Sequence, residues 1–166
     1  FESFEARNRF LAGPMNAAFE KPIAAAHSKF GGVVPDGVLD PKVVEATARM
    51  VQRYVSAMQK AEYSSMLFDL ENYARTINSQ FSQHKPHDDR FPEEARRNAL
   101  YTCFMVLKSL MIMLYPFTPQ TMERLRVSLN LPAGVLTVDE LGKPIAAGHA
   151  VGEKGSYYPN PDADAG

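Results

Sequence analysis

The chain has 166 residues, 45% of them apolar and 22% charged, which suits one soluble domain with a real core and excludes a fibre or wholesale disorder. Eighteen Lys and Arg against nineteen Asp and Glu leave a net charge of −1, which argues against a broad positive field such as non-specific DNA coating. A single cysteine, Cys103, excludes an internal disulfide framework and a Cys-rich zinc ribbon, and points to a reducing, cytoplasmic setting.

In chain order, the first 30 residues are helical in tendency. Gly13-Pro14 and Pro22 punctuate them, which predicts a kinked or broken helix. Asp40-Pro41 reads as an N-cap followed by proline at the first helical position. From there Val44, Val51, Val55 and Met58 share one face, with Ala46, Met50 and Tyr54 beside it, and that face is expected to be the buried one. Ser64 or Ser65 is placed to cap a helix whose stripe is Met66 or Leu67, Leu70, Tyr73 or Ala74, Ile77 and Phe81. Pro92-Glu93-Glu94 opens the next helix, with acids where the dipole favours them. That helix is apolar nearly all round from Leu100 to Leu114, so it should be central.

Pro116 ends it, and Thr118-Pro119 starts another with Met122, Leu125 and Leu129 inward. Thr137 and Glu140 have the spacing of a capping box. Gly, Pro, Asp and Ala prevail from Glu153, and the last seven residues are expected to fray. The fold class is therefore all-α: a bundle of about five helices over residues 1–152, with an irregular extension, 153–166, packing back on it. The most apolar run, Leu100 to Tyr115, carries Lys108 and falls short of the roughly 20 residues of a membrane span. No signal peptide is visible, and a chain that starts at Phe1 is expected to be a piece of a longer polypeptide.

Catalytic chemistry is not visible. Gly31-Gly32 lacks the spacing and the following Lys-Ser/Thr of a phosphate loop. Cys103 sits inside the apolar helix, where a thiol is inert. His84, His87 and Asp88 have no established zinc spacing, and Pro86 denies them a common helical face, so no metal is expected. The eight methionines lie at helical spacing and read as core filling.

Four stretches carry a likeness. Ile77-Asn78-Ser79-Gln80-Phe81 through Pro86-His87 matches a pattern of Ala-Asn-x-Tyr, five further residues, then Pro-Trp, with Asn78 and Pro86 in register. Lys29-Phe30-Gly31-Gly32-Val33-Val34-Pro35 matches Tyr-Phe-Gly-Gly-x-Val-Pro, and Tyr115-Pro116-Phe117-Thr118-Pro119-Gln120-Thr121 matches Ser-Pro-Phe-x-Pro-x-Thr. Gly148-His149-Ala150-Val151-Gly152 with Tyr157-Tyr158-Pro159 matches Gly-His-x-Ile-Gly and Leu-Phe-Pro. In this order they resemble the anticodon-binding helical domain of methionyl-tRNA synthetases, class I aminoacyl-tRNA synthetases, over about Phe4 to Pro159.

The resemblance implies a bundle that holds a tRNA anticodon loop for a catalytic domain elsewhere in the polypeptide or complex. In that family an Asn and an Arg four apart on the first helix, and the Trp after the proline, read unstacked bases. Here the Arg position carries Lys21 and the Asn position Ala17, with Asn16 one residue away; the Trp position carries His87, and the chain has no Trp. Lysine keeps the charge without the planar fork, and histidine keeps a smaller stacking face. The expected RNA-binding set is thus Asn16, Lys21, Asn78, Pro86 and His87, with Lys85 and Arg90 available for phosphates and Pro86 as a rigid element orienting residue 87.

His-Ile-Gly-His and Lys-Met-Ser-Lys-Ser, the family's catalytic signatures, are absent, so this chain alone is expected to activate no amino acid. ATP and methionine belong to the catalytic domain, and neither DNA nor a membrane is an expected partner. Tyr157-Tyr158-Pro159 is expected to pack rather than catalyse. The alternative is a helical scaffold that keeps the bundle for protein docking without RNA.

Overall fold

A computed structural model describes residues 4–159, with side chains described from residue 13 onward. It contains five α-helices, α1 (Phe4–Lys29), α2 (Pro41–Gln59), α3 (Tyr63–His84), α4 (Glu93–Leu114) and α5 (Pro119–Ser128), followed by two single 3₁₀ turns, Ala133–Val135 and Val138–Glu140. No strand forms among the described residues; an isolated antiparallel bridge joins Val33 to Ala150. The fold is all-α. The segment 160–166, expected to fray, lies outside the described residues.

α4 is the axis. Sixteen of its residues are buried, including Cys103, Phe104, Leu107 and Leu110, and burial pushes the Cys103 thiol far above its usual pKa. It has the length and composition of a membrane span, yet 83% of its most apolar window is buried inside the molecule, so its hydrophobicity is spent in the core. α3 packs on α4, and its buried residues include Met66, Leu70, Tyr73, Ala74, Ile77 and Phe81, the stripe expected of it. α1 and α2 flank α3.

Several local expectations are corrected. α1 runs as one helix through both prolines, so the break expected of it does not occur. Proline's fixed φ is itself helical, and each ring removes one backbone bond while Met15, Ala18, Phe19, Ile23 and Ala26 anchor the helix on both sides. In α2, Asp40 does cap, accepting from Lys42 N–H at 2.9 Å. The buried stripe is Val43, Thr47, Met50, Tyr54 and Ala57, however, so the valine face is turned outward, with Val44 43% and Val55 37% exposed. Thr47 is acceptable inside because its hydroxyl pairs with Tyr73 Oη at 2.6 Å.

α3 begins one residue before Ser64, with Glu62 as N-cap residue and no capping side chain. Ser65 instead donates back to the Glu62 carbonyl. The Thr137–Glu140 capping box does not form. Glu140 is drawn to Lys108, a buried ammonium on α4 that needs a counter-charge, at 2.8 Å.

After α5 the chain returns across the bundle as a strap. Val34 N–H donates to His149 O at 2.9 Å, Gly148 N–H to Val34 O at 2.8 Å and Val151 N–H to Gly32 O at 2.8 Å. His149 and His27 rings bond the carbonyls of Leu129 and Gly152, each at 2.8 Å. Tyr157 and Tyr158 are buried against Phe19, with ring centroids 5.6 and 6.0 Å away. Tyr157 Oη donates to Ser128 at 2.8 Å, and Arg124 holds the carbonyls of Ser156 and Tyr157. The strap thus locks α1 to α5, the packing role expected of these tyrosines.

Candidate nucleic-acid interface

The last turns of α1 and α3 and the loop after α3 line an open, groove-like cavity of about 400 Å³. Its wall includes Lys21, Ala24, Ala25 and Ser28 from α1 and Asn78, Phe81, Ser82, Lys85 and His87 from α3 and the loop. Four of the seven residues expected to face RNA, Lys21, Asn78, Lys85 and His87, therefore line one cavity. The volume falls within the roughly 300–1,000 Å³ of small-ligand clefts.

Its chemistry is donor-rich. Lys21 Nζ donates to Asn78 Oδ1 at 3.1 Å across the two helices. That bond takes one lone pair of the amide oxygen and leaves the Asn78 Nδ2 group and the remaining ammonium protons as donors. The His87 ring stacks on Phe81, with centroids 5.7 Å apart and planes at 15°. One imidazole face rests on a buried phenyl, and the exposed side of the residue is left for a ligand. Two hydroxyls, Ser28 and Ser82, and the Lys85 ammonium complete a wall that fits carbonyl oxygens, ring nitrogens or phosphate.

The loop is set before any ligand arrives. Lys85 takes a left-handed conformation, φ 46°, and its N–H closes α3 on Phe81 O at 3.2 Å. The Asp88 side chain accepts from Arg90 N–H at 3.0 Å and from its guanidinium at 2.7 Å. Those hydrogen bonds hold the Asp88 carboxyl well below the usual carboxylate range and raise the Arg90 pKa. Asp89 reaches Lys29 of α1 at 2.9 Å and Arg96 of α4 at 3.6 Å, and the Lys29 hydrogen bond is the main reason its pKa is lowered. Arg96 also donates to Phe91 O and lies over the Phe30 ring.

Three expected residues are placed elsewhere. Asn16 spends both ends of its amide on the strap, donating to Tyr158 O at 2.8 Å and accepting from Tyr158 N–H at 3.0 Å. Its side chain faces the strap and does not line the cavity. Asn16→Ala is expected to destabilise the fold by about 1–3 kcal/mol, because two backbone groups lose their partners, and to leave the cavity intact; thermal unfolding checks it. Pro86 is buried and does not line the cavity, which makes it a loop-shaping element and not a contact surface. Arg90 is exposed, outside the lining and tied to Asp88. Among the described residues, no three His, Cys, Asp or Glu side chains converge as a metal site would need.

Phe81 is the residue that sequence reasoning missed. Its place in the apolar stripe of α3 read as core only, whereas it also backs the His87 ring. The spacing of six between them, across a helix end and a proline turn, carries no periodic signal.

No family model matches the chain. It is 27% identical over 154 residues to the methionine–tRNA ligase of Methanothrix thermoacetophila, covering 87% of this chain and 22% of that protein. It is 30% identical over 122 residues to the methionine–tRNA ligase of Ignicoccus hospitalis, covering 72% of this chain and 21% of that protein. The chain is a homologue of methionyl-tRNA synthetases. It spans about a fifth of the length of these curated relatives. Its fold is also that of part of the solved apo methionyl-tRNA synthetase of Mycobacterium tuberculosis, with a TM-score of 0.82 at 17% identity over 96% of this chain and 35% of that one. In this methionyl-tRNA synthetase homologue, the cavity between α1 and α3 gathers Lys21 and His87, the residues at which the resemblance leads one to expect Arg and Trp.

Proposed function

We propose that this chain is a tRNA-anticodon-binding domain that positions tRNA for aminoacylation by a catalytic domain outside it, in the cytoplasm. The observation that carries the reading is the single cavity shared by Lys21, Asn78, Lys85 and His87. A splayed base would stack on the His87–Phe81 ring pair while Lys21 and Asn78 donate to its polar edge. Shape and stacking do more here than charge, in keeping with the chain's net −1. Homology to methionyl-tRNA synthetases makes C-A-U the anticodon to test.

The test is equilibrium binding of an RNA stem-loop bearing C-A-U against one with a scrambled loop. Tighter binding of C-A-U, diminished by Lys21→Ala and by Asn78→Ala, is the expected result. Equal binding of both loops would mean that the cavity reads no base. A docking scaffold without RNA is the second reading, and the outward valine face of α2, Val44 and Val55, is what favours it.

A further inference from the structure

α2 carries a cationic flank that the groove does not use. Lys42, Arg49 and Arg53 follow one another at spacings of seven and four along one edge of the helix, and Lys60 continues the line at its end. The line is about 27 Å long at 1.5 Å per residue. All four residues are exposed. The acid on this edge, Glu45, pairs with Arg49 at 2.7 Å, both side chains being largely exposed, and such a pair yields readily to a better partner. Among the described residues, the Arg53 guanidinium has no ion-pair or hydrogen-bond partner. Between the arginines lies a depression of about 410 Å³ lined by Arg49, Gln52, Arg53 and Ser56. Every one of these side chains can donate, and none is acidic.

The direction of this flank follows from the packing of α2. Gly142, whose N–H donates to Ser109 of α4 at 3.0 Å, lies beside Thr47, so the Thr47 edge of the buried stripe is the edge nearest α4. Ala57 is at the opposite edge of that stripe. At 100° per residue, Lys42, Arg49 and Arg53 come next beyond Ala57, and Val44 and Val55 come next beyond Thr47. The cationic flank therefore opens on the outer side of α3, away from α4. The cavity between α1 and α3 opens there too, because α4 packs behind both helices. Groove and flank share one surface, with the polar outer residues of α3, Asn72, Ser79 and Gln83, between them.

We propose that this flank of α2 is a phosphate-binding track for the backbone of the RNA whose loop bases enter the groove. The proposal rests on the RNA reading of the groove. Phosphate contacts add affinity without sequence information, so the track sets register while the groove reads. It also accounts for how a chain with net charge −1 concentrates cations where a polyanion would lie.

The experiment compares the unaltered chain, Arg49→Ala/Arg53→Ala, Arg49→Lys/Arg53→Lys and His87→Ala on C-A-U and scrambled stem-loops across a salt series, with helical content checked for each. The double alanine variant is expected to weaken binding on the order of tenfold on both RNAs, and to flatten the slope of log K against log salt by about 1.5. The double lysine variant should keep most of the affinity and the slope. His87→Ala should instead reduce the preference for C-A-U and leave the slope alone. Unchanged affinity and slope in the double alanine variant would overturn the track, and a His87→Ala effect in the same series would show that the groove reading survives. A loss confined to one loop sequence would also overturn it. No RNA binding by the unaltered chain would overturn both readings.

Discussion

Truncating Tyr158 to alanine is expected to cost about 3–5 kcal/mol of folding free energy, the range for deleting a buried large aromatic. The side chain is 2% exposed, packs on Phe19 and pairs its hydroxyl with Thr118 at 2.8 Å. Its loss also loosens the backbone that Asn16 and Arg124 hold, so the strap should detach from α1 and α5 together. Tyr158→Phe removes only the hydroxyl pairing and should cost about 1 kcal/mol. Thermal unfolding of the two variants separates packing from hydrogen bonding. A cost for alanine no larger than for phenylalanine would mean that the strap does not hold the bundle.

The same residue gives a pH dependence with a definite sign. Burial raises the pKa of Tyr158, and of Tyr73 on α3, from 10.0 to about 12. A raised folded pKa means that the contribution is complete below the unfolded value and is lost as pH rises through the folded one. Stability should therefore fall between about pH 10 and 12, and Tyr158→Phe should blunt that fall.

Replacing His87 by alanine is expected to weaken binding of a C-A-U stem-loop by about 1–2 kcal/mol, or roughly five- to thirtyfold in Kd, the lower part of the span for a base stacked on an aromatic ring. The imidazole is small, but Phe81 beneath it makes a two-layer platform that holds its plane. His87→Trp should tighten binding, because an indole offers more surface in the same place. His87 is exposed, so neither change should lower the thermal midpoint appreciably. A binding loss accompanied by unfolding would assign His87 a structural role instead.

How far the sequence showed the molecule depends on the kind of signal. Asp40-Pro41 and Pro92-Glu93-Glu94 announced their helix starts because capping, proline and dipole effects are local. The stripe of α3 and the burial of α4 followed from periodicity and apolar content. The buried face of α2 was misread because hydrophobicity favours three valines over Thr47, and only the distant Tyr73 makes that threonine a core residue. Pro22 does not break α1 for a similar reason: it weakens a helix locally, but Ile23 and Ala26 hold α1 from the side. Glu140 went to Lys108 and not to a capping box because burying an ammonium outweighs closing one turn.

The site was legible in part and for a different reason. No local physical signal marks Lys21, Asn78 and His87 as neighbours, since the Lys21–Asn78 bond spans 57 positions. The family likeness supplied the positions, and the packing of α1 on α3 brought them to one cavity. Asn16 shows the limit of that route. A one-residue displacement on a helix is a rotation of about 100°, and the Asn16 amide faces the strap.

The most direct test of base reading in the α1–α3 cavity is to follow the side-chain resonances of Asn78 and His87 while a C-A-U stem-loop is added, with a scrambled loop as control. The account predicts saturable shifts of the Asn78 amide and the His87 ring with C-A-U, much weaker ones with the scrambled loop, and none at Val44 or Val55 on the far flank of α2. Shifts confined to Val44 and Val55, or equal shifts at Asn78 and His87 with both loops, would contradict it.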